Sequence, residues 1–107
     1  MILLKKKTSF EEKVHKAAAK IPKGRVSTYA QIAKEIGTPK AMRAVGNALN
    51  QSPGMPSCPC HRVVKSDGRI GGFASGPAAK KKLLSKEGIS FHGNKIVGFE
   101  QKLYKFR

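Results

Sequence analysis

Apolar residues recur at helical spacing near the start of the chain. Ser9 and Glu12 have the spacing of a capping box, and the apolar positions that follow predict a helix from about Ser9 to Lys20. One face of this helix would be formed by Phe10, Val14, Ala17 and Ile21. Pro22 cannot continue the helix, and together with Gly24 it predicts a turn.

Two shorter helical patterns follow. Thr28 and Gln31 repeat the capping-box spacing, and Gly37 would end the second helix. Thr38-Pro39 is typical of an N-cap followed by proline at the first helical position, so a third helix should run to about Asn50. Two short helices joined by a glycine-containing turn have the pattern of a helix-turn-helix. The third helix is therefore the predicted DNA-contacting helix, and it would present Lys40, Arg43 and Asn47 outward.

The second half of the chain favours short β elements around one more helix. After a proline-rich loop from Gln51 to Pro59, the segment from Val63 to Ile70 predicts a small hairpin that turns at Ser66-Asp67-Gly68. A helix is expected from about Pro77 to Glu87, with Gly88 as its C-cap, and a second hairpin from Ser90 to Val97. We therefore expect a mainly α (α+β) fold, winged-helix-like with small β-hairpins, in one domain spanning residues 1–107.

Charge narrows the choice of partner. The chain has 22 Lys and Arg residues against 6 Asp and Glu, a formal net charge of +16, so a polyanion is expected and nucleic acid is the first candidate. An anionic membrane surface would also attract this charge. The opening residues Met1 to Lys7, however, do not form a signal peptide or a membrane span. We expect a soluble, monomeric protein in the cytoplasm of a prokaryote, associated with the nucleoid, or in the nucleus of a eukaryote.

The cysteines carry the candidate chemistry. Cys58 and Cys60 are separated by a single proline, which is a poor spacing for a disulfide and provides too few ligands for a structural zinc site. We expect free thiols and no metal. Cys60 is followed directly by His61, and a base or nearby cations convert a thiol into the nucleophilic thiolate. The pair predicts a reactive cysteine.

Several segments, in order and spacing, resemble the O6-alkylguanine-DNA alkyltransferases. They are Thr28-Tyr29, Ala41 to Gly46, Pro59 to Val63, Gly71 to Phe73, Leu83-Leu84 and Glu87-Gly88. The resemblance implies repair by direct, irreversible transfer of an alkyl group to a cysteine, once per molecule and without a cofactor, on double-stranded DNA containing O6-alkylguanine. It also implies that the N-terminal domain usual in the family is absent from this chain.

The resemblance assigns roles to individual residues. Cys60 matches the alkyl acceptor, His61 the base that deprotonates it through a water, and Glu87 the carboxylate that orients the imidazole. Tyr29 matches a tyrosine that hydrogen-bonds the flipped guanine. Arg43 matches an arginine that enters the base stack in place of the flipped nucleotide. The predicted DNA contacts are Ser27, Thr28, Tyr29, Lys40, Arg43 and Asn47. The predicted substrate pocket is formed by Val63, Gly71, Gly72, Phe73 and Ala74.

Other hypotheses remain. Taken singly, Glu87 could be a solvated surface residue, Tyr29 a core residue and Arg62 a structural residue. An alkyltransferase-like protein would bind alkylated DNA and recruit repair factors without repairing the damage, but such relatives lack the cysteine found at position 60. A helix-turn-helix transcription factor would leave the Cys-His pair without a purpose, and a redox or metal-sensing thiol pair is disfavoured by Pro59. Cys58 is either a small buried residue or a second reactive thiol.

Overall fold

The computed structural model describes residues 9–50, 59–72 and 76–106. The helices are α1 (Ser9–Ala19), α2 (Tyr29–Glu35), α3 (Met42–Asn50), α4 (Pro77–Lys86) and α5 (Phe99–Lys102), and a single 3₁₀ turn covers Cys60–Arg62. The strands are β1 (Ser27–Thr28), β2 (Val63–Val64), β3 (Phe91–His92) and β4 (Lys95–Ile96). The predicted fold class, mainly helical with small β elements, is confirmed.

Helix α2 has the ends that its sequence predicts. The Thr28 hydroxyl accepts a hydrogen bond from the Gln31 amide at 3.0 Å, so Thr28 is the N-cap. At the other end Gly37 has φ of 85°, and the Thr38 amide donates to the Ala33 carbonyl at 2.9 Å. This is a Schellman motif, which turns the chain sharply toward α3 and produces the predicted helix-turn-helix.

The start of α3 differs from the prediction. We expected Thr38 as N-cap with Pro39 in the first turn, but α3 begins at Met42. The Thr38 amide is already used to end α2, and the first carbonyl to accept an α3 bond is that of Ala41, from the Val45 amide at 2.9 Å. Thr38 and Pro39 therefore lie in the connection between α2 and α3 and not at the start of α3.

The predicted hairpin between Val63 and Ile70 is also wrong in its pairing. Strand β2 pairs in parallel with β1, with Ser27 opposite Val63 and Thr28 opposite Val64. Both valines are fully buried, and two consecutive buried residues require cover on both faces of the strand, which is typical of parallel pairing rather than of a surface hairpin. A tight turn remains after β2, where the Lys65 amide donates to the Arg69 carbonyl at 2.9 Å.

The second predicted hairpin is confirmed. Strands β3 and β4 are antiparallel, with Phe91 opposite Ile96 and His92 opposite Lys95. Its turn contains Gly93, whose φ of 65° lies in the left-handed region that favours glycine. The hairpin contributes Ile96 to the interior and leaves its polar residues at the surface.

The segment after the hairpin was not predicted at all. Beyond α5 the chain runs parallel to the residues around β1: the Val26 amide donates to the Lys102 carbonyl at 2.9 Å, and the Tyr104 amide donates to the Val26 carbonyl at 2.7 Å. The Ser27 hydroxyl adds a bond of 2.8 Å to the Tyr104 carbonyl. The segment that contains Val26 and β1 is therefore hydrogen-bonded on both edges, to β2 on one side and to residues 102–104 on the other.

The interior consists of two apolar clusters. The first joins α1, α2 and α3 with Val63, and the second groups Val26, Val64, Leu84, Ile89 and Ile96. Strand β2 links them, because Val63 belongs to one cluster and Val64 to the other. None of the helices in the described part of the chain has the length and apolar character needed to cross a membrane.

Leu84→Ala should lower the free energy of unfolding by about 2–5 kcal/mol, because Leu84 is fully buried in the second cluster and its loss leaves a cavity. The neighbouring Leu83 is only partly buried, so Leu83→Ala is a matched control with a smaller expected loss. Urea denaturation of both variants measures the difference. Equal losses would contradict the packing described here.

Candidate active site

Cys60 lies at the start of the 3₁₀ turn that enters β2. The turn is closed by the Arg62 amide, which donates to the Pro59 carbonyl at 2.9 Å. Cys60 is a free, partly exposed thiol whose side chain packs against the first apolar cluster. The cysteine is therefore held on a short rigid segment, with one side on the core and one side accessible.

The two residues after Cys60 converge on one carboxylate. His61 Nε2 lies 3.1 Å from Glu87 Oε2. Arg62 binds the same carboxylate with two bonds, from Nε to Oε1 at 2.9 Å and from NH2 to Oε2 at 2.7 Å. A third Arg62 nitrogen donates to the Ile21 carbonyl at 2.9 Å. Arg62 therefore has a structural role: it fixes the carboxylate that holds His61.

The protonation states follow from these contacts. Burial raises the pKa of the Glu87 carboxyl, but hydrogen bonds from Arg62 and His61 and their charges lower it more, so the pKa lies below its ordinary value. Burial lowers the pKa of the His61 imidazole, and although Glu87 opposes this, the net pKa is lowered. At neutral pH Glu87 is thus an ionised acceptor and His61 is neutral. His61 Nε2 must donate to Glu87, which leaves Nδ1 unprotonated and able to accept a proton.

Glu87 owes its position to the way α4 ends. It is the C-cap residue, followed by Gly88 with φ of 91°. The Ile89 amide donates to the Leu84 carbonyl at 3.1 Å, a second Schellman motif. A carboxylate at a helix C-terminus is disfavoured by the helix dipole, and the contacts with Arg62 and His61 compensate for this.

Tyr29, the first residue of α2, faces the glycine pair. Its hydroxyl donates to the Gly72 carbonyl over a long distance of 3.4 Å. A Cβ added to Gly71 would lie 3.0 Å from this hydroxyl, and Gly71 has φ of 75°. Glycine at position 71 therefore permits the close approach of Tyr29. Burial, and then the negative charge of Cys60, raise the pKa of Tyr29, so its hydroxyl keeps its proton at neutral pH.

A buried lysine completes this group and was missed at the sequence level. Lys80 on α4 is 0% exposed, and its ammonium group donates to the Gly72 carbonyl at 3.0 Å and to the Tyr29 hydroxyl at 3.4 Å. Burial lowers the pKa of Lys80 to about 8, and a negative charge on Cys60 acts in the opposite direction. The sequence run Lys80-Lys81-Lys82 is typical of a solvated helix face, so only the packing distinguishes Lys80 from its neighbours.

A concavity of about 360 Å³ opens beside Tyr29. It is lined by Tyr29, Met42, Arg43, Gly46, Asn47, Asn50, Ser66 and Gly72. Four of the sequence-predicted residues, Tyr29, Arg43, Asn47 and Gly72, thus lie together. Met42, Gly46, Asn50 and Ser66 were not predicted as site residues, although the outward face of α3 contains three of them. Lys40 is exposed in the turn before α3 and is not among the lining residues.

Other predicted site residues are buried or lie outside the described residues. Ser27 and Thr28 are buried, and their hydroxyls are used within the protein, by the Tyr104 carbonyl and the Gln31 amide. Val63 is fully buried in β2, directly after the 3₁₀ turn. Phe73, Ala74 and Cys58 lie outside the described residues. Within the described residues no group of three or more His, Cys, Asp or Glu side chains is arranged to hold a metal ion.

These features define a helix-turn-helix DNA-binding fold with a cysteine and a histidine on a 3₁₀ turn and a glutamate at the end of α4. Over residues 9–89 the chain matches the family model described as 6-O-methylguanine DNA methyltransferase, DNA binding domain. The chain belongs to this family.

Relatives and solved structures agree with this assignment. The chain is 48% identical over 81 residues to the methylated-DNA–protein-cysteine methyltransferase of Methanosarcina acetivorans, covering 76% of this chain and 52% of that protein. It thus spans about half the length of the curated relatives it matches. The structure of Mycobacterium tuberculosis OGT in complex with DNA aligns with a TM-score of 0.73 at 40% identity, over 80% of this chain and 53% of that one.

The alignment with another solved structure covers most of both chains. The structure of S. pombe Atl1, in complex with damaged DNA containing O6-carboxymethylguanine, aligns with a TM-score of 0.77 at 32% identity. The alignment covers 90% of this chain and 94% of that chain. The fold observed here is therefore similar to two kinds of family member, one roughly twice as long and one of similar extent.

Glu87→Gln should lower the free energy of unfolding at pH 7 by about 1.5–3 kcal/mol, because the charged hydrogen bonds with Arg62 are weakened. The folded pKa of Glu87 is lowered, so this stabilisation is present above the unfolded pKa of about 4.3 and is lost as the pH falls through the folded value. The difference in free energy of unfolding between the parent and Glu87→Gln should therefore decrease toward pH 3, as measured by urea denaturation. Glu100→Gln, at an exposed position, is the control. A difference in the free energy of unfolding that does not change with pH would contradict an ionised Glu87 bound to Arg62.

Proposed function

We propose that this protein repairs DNA by transferring the alkyl group of O6-alkylguanine irreversibly onto Cys60, one group per protein molecule. The observation that carries the proposal is the neutral His61 imidazole next to Cys60, held by a Glu87 carboxylate that Arg62 fixes in place. Family membership over residues 9–89 supports the same conclusion. The partner is double-stranded DNA that contains the damaged base.

The reaction is balanced by residues of the site. His61 accepts the thiol proton of Cys60 through a water, and the thiolate attacks the alkyl carbon. The new S–C bond forms as the C–O6 bond breaks, and the electron pair moves onto the guanine. Tyr29, which keeps its hydroxyl proton at neutral pH, transfers that proton to the departing base, which leaves as neutral guanine. The proton that His61 took from Cys60 returns through solvent to the Tyr29 oxygen. The thioether product is stable, which limits each molecule to one transfer.

The target carbon lies inside the duplex, so the nucleotide must be extruded. Extrusion costs a few kcal/mol and is cheapest for a damaged, weakly paired base. Arg43 lies on the exposed face of α3 at the mouth of the concavity, where its planar guanidinium can enter the vacated stack. The net charge of +16 supports binding of the phosphate backbone without sequence preference. Because the Ser27 and Thr28 side chains are engaged internally, we assign them to the fold and not to DNA contact.

A second function has one observation in its favour. The fold aligns with the structure of S. pombe Atl1 in complex with damaged DNA at a TM-score of 0.77, which supports a protein that binds alkylated DNA without repairing it. Cys60, and the base held beside it, have no role in such a protein. The two functions differ in whether a covalent bond forms, which is directly measurable.

Incubation with excess DNA containing O6-methylguanine should add the mass of one methyl group to the intact chain, because the thioether cannot be cleaved by the site. Fragmentation of the active-site peptide should locate the methyl group on Cys60 and not on Cys58. Glu87→Gln should transfer more slowly and still reach one equivalent, since it affects His61 and not the acceptor.

Cys60→Ser is the control for this experiment. It should bind the methylated duplex about as well as the parent and leave every methyl group on the DNA. A parent protein that binds the damaged duplex without any gain in mass would establish the Atl1-like function instead. Transfer beyond one equivalent, or a label on Cys58, would contradict the assignment of Cys60.

Arg43→Ala should slow transfer from duplex DNA much more than transfer from free O6-benzylguanine. Only in the duplex must a side chain take the place of the extruded nucleotide between the stacked bases. The matched control is Lys34→Ala, which removes one positive charge from an exposed position on α2 outside this concavity. Single-turnover rates on both substrates provide the measurement. If both substrates slow equally, Arg43 acts on the pocket or the fold and not on extrusion.

A further inference from the structure

Lys80 has no assigned role in the chemistry above, yet it is the largest fully buried side chain in the described part of the protein. A lysine that is 0% exposed loses its hydration, which is unfavourable unless the charge is compensated. Its neighbours Lys81 and Lys82 on α4 remain partly or fully exposed. The cost of burying a charge at this one position indicates that the ammonium group serves the site rather than the core.

The contacts of Lys80 connect three parts of that site. Its Nζ donates to the Gly72 carbonyl at 3.0 Å and to the Tyr29 hydroxyl at 3.4 Å, and lies 5.7 Å from the centre of the Tyr29 ring. The ionisable groups that face it are Tyr29 from α2, and Cys60 and His61 from the 3₁₀ turn. Among these, the one that becomes an anion during the proposed reaction is Cys60.

We propose that Lys80 is a positioning residue for alkyl transfer, holding the Tyr29 hydroxyl at the Gly72 carbonyl and providing the positive charge that stabilises the Cys60 thiolate. This proposal rests on the proposed function. Both effects need the ammonium form. With a pKa of about 8, Lys80 retains its proton at neutral pH and loses it in mildly alkaline solution, whereas Tyr29 has a raised pKa and stays neutral there.

The first test is the rate of alkyl transfer from free O6-benzylguanine, which does not depend on DNA binding. Lys80→Met should be slower by about 10- to 100-fold at pH 7, the usual effect of losing a charged hydrogen bond that acts in the transition state. Lys80→Gln keeps a donor for the Gly72 carbonyl without the charge, so its rate should lie between those of Lys80→Met and the parent. The matched control is Lys82→Met on the exposed face of α4, which should react like the parent.

Two further readouts exclude a merely structural role. The parent's rate should fall above about pH 8 as Lys80 loses its proton, and Lys80→Met should lack this decline. The melting temperature of Lys80→Met should equal or exceed that of the parent, because a buried charge is removed and the Gly72 carbonyl lies on an exposed residue that water can reach. A slower variant that is also less stable, with an unchanged pH profile, would overturn the proposal.

Failure of the proposed function can be told apart from failure of this inference. In a Cys58→Ser background, alkylation of Cys60 by iodoacetamide reports thiolate reactivity whether or not the protein repairs DNA. Lys80→Met and Lys80→Gln should both slow this alkylation at pH 7 relative to Lys82→Met. Equal iodoacetamide rates in all variants would overturn the role of Lys80, even if transfer from O6-methylguanine occurs. A parent that transfers no alkyl group would overturn only the proposed function.

Discussion

The carboxylate of Glu87 connects parts of the chain that are distant in sequence. Through Arg62 it links the end of α4 to the 3₁₀ turn, and Arg62 continues the link to the Ile21 carbonyl after α1. Through His61 it sets the orientation and the tautomer of the imidazole next to Cys60. Because Arg62 already balances the charge of Glu87, the carboxylate can hold the imidazole without making it permanently cationic. The proposed alkyl transfer needs a neutral His61 held in place by Glu87, because a cationic imidazole could not accept the proton of Cys60.

Arg62 and Lys80, the two buried cationic side chains among the described residues, are stabilised in different ways. Arg62 is paired with a carboxylate by two hydrogen bonds, a geometry suited to its planar guanidinium. Among the residues that the structure describes, the acceptors of Lys80 are the neutral Gly72 and Tyr29 oxygens. Its charge is therefore only partly compensated until an anion forms nearby. Arg62 accordingly serves the architecture, and Lys80 remains sensitive to the ionisation of its surroundings.

Local signals in the sequence predicted most of the helices, because caps and glycine stops act over a few residues. Thr28 and Gly88 behave as their residue types indicate. Thr38 shows the limit of such signals, since α3 begins at Met42, four residues after the predicted N-cap. The parallel pairing of β1 with β2 could not be predicted from short-range patterns, because it joins segments that are far apart in the chain.

The same distinction holds at the site. Cys60, His61, Glu87, Tyr29 and Arg43 were identified from the resemblance to a family, and the structure places them around a common region. Lys80 was not identified, because within a run of three lysines its residue type predicts exposure. Its burial depends on how α4 packs against Tyr29 and Gly72, which is tertiary information. Ser27 was predicted as a DNA contact, but its hydroxyl is used by the Tyr104 carbonyl.

The pairing of the Leu103–Tyr104 segment with the residues around β1 affects the order in which parts of the protein can fold during its synthesis. Ser27 leaves the ribosome 77 residues before its partner Tyr104. Helices α1 to α3 can pack as soon as they emerge, since their contacts are local. The segment around β1, which leads directly into Tyr29, acquires its second neighbour only after residues 102–104 have been translated. A nascent chain can thus present the helix-turn-helix surface before the strand beneath Tyr29 is complete.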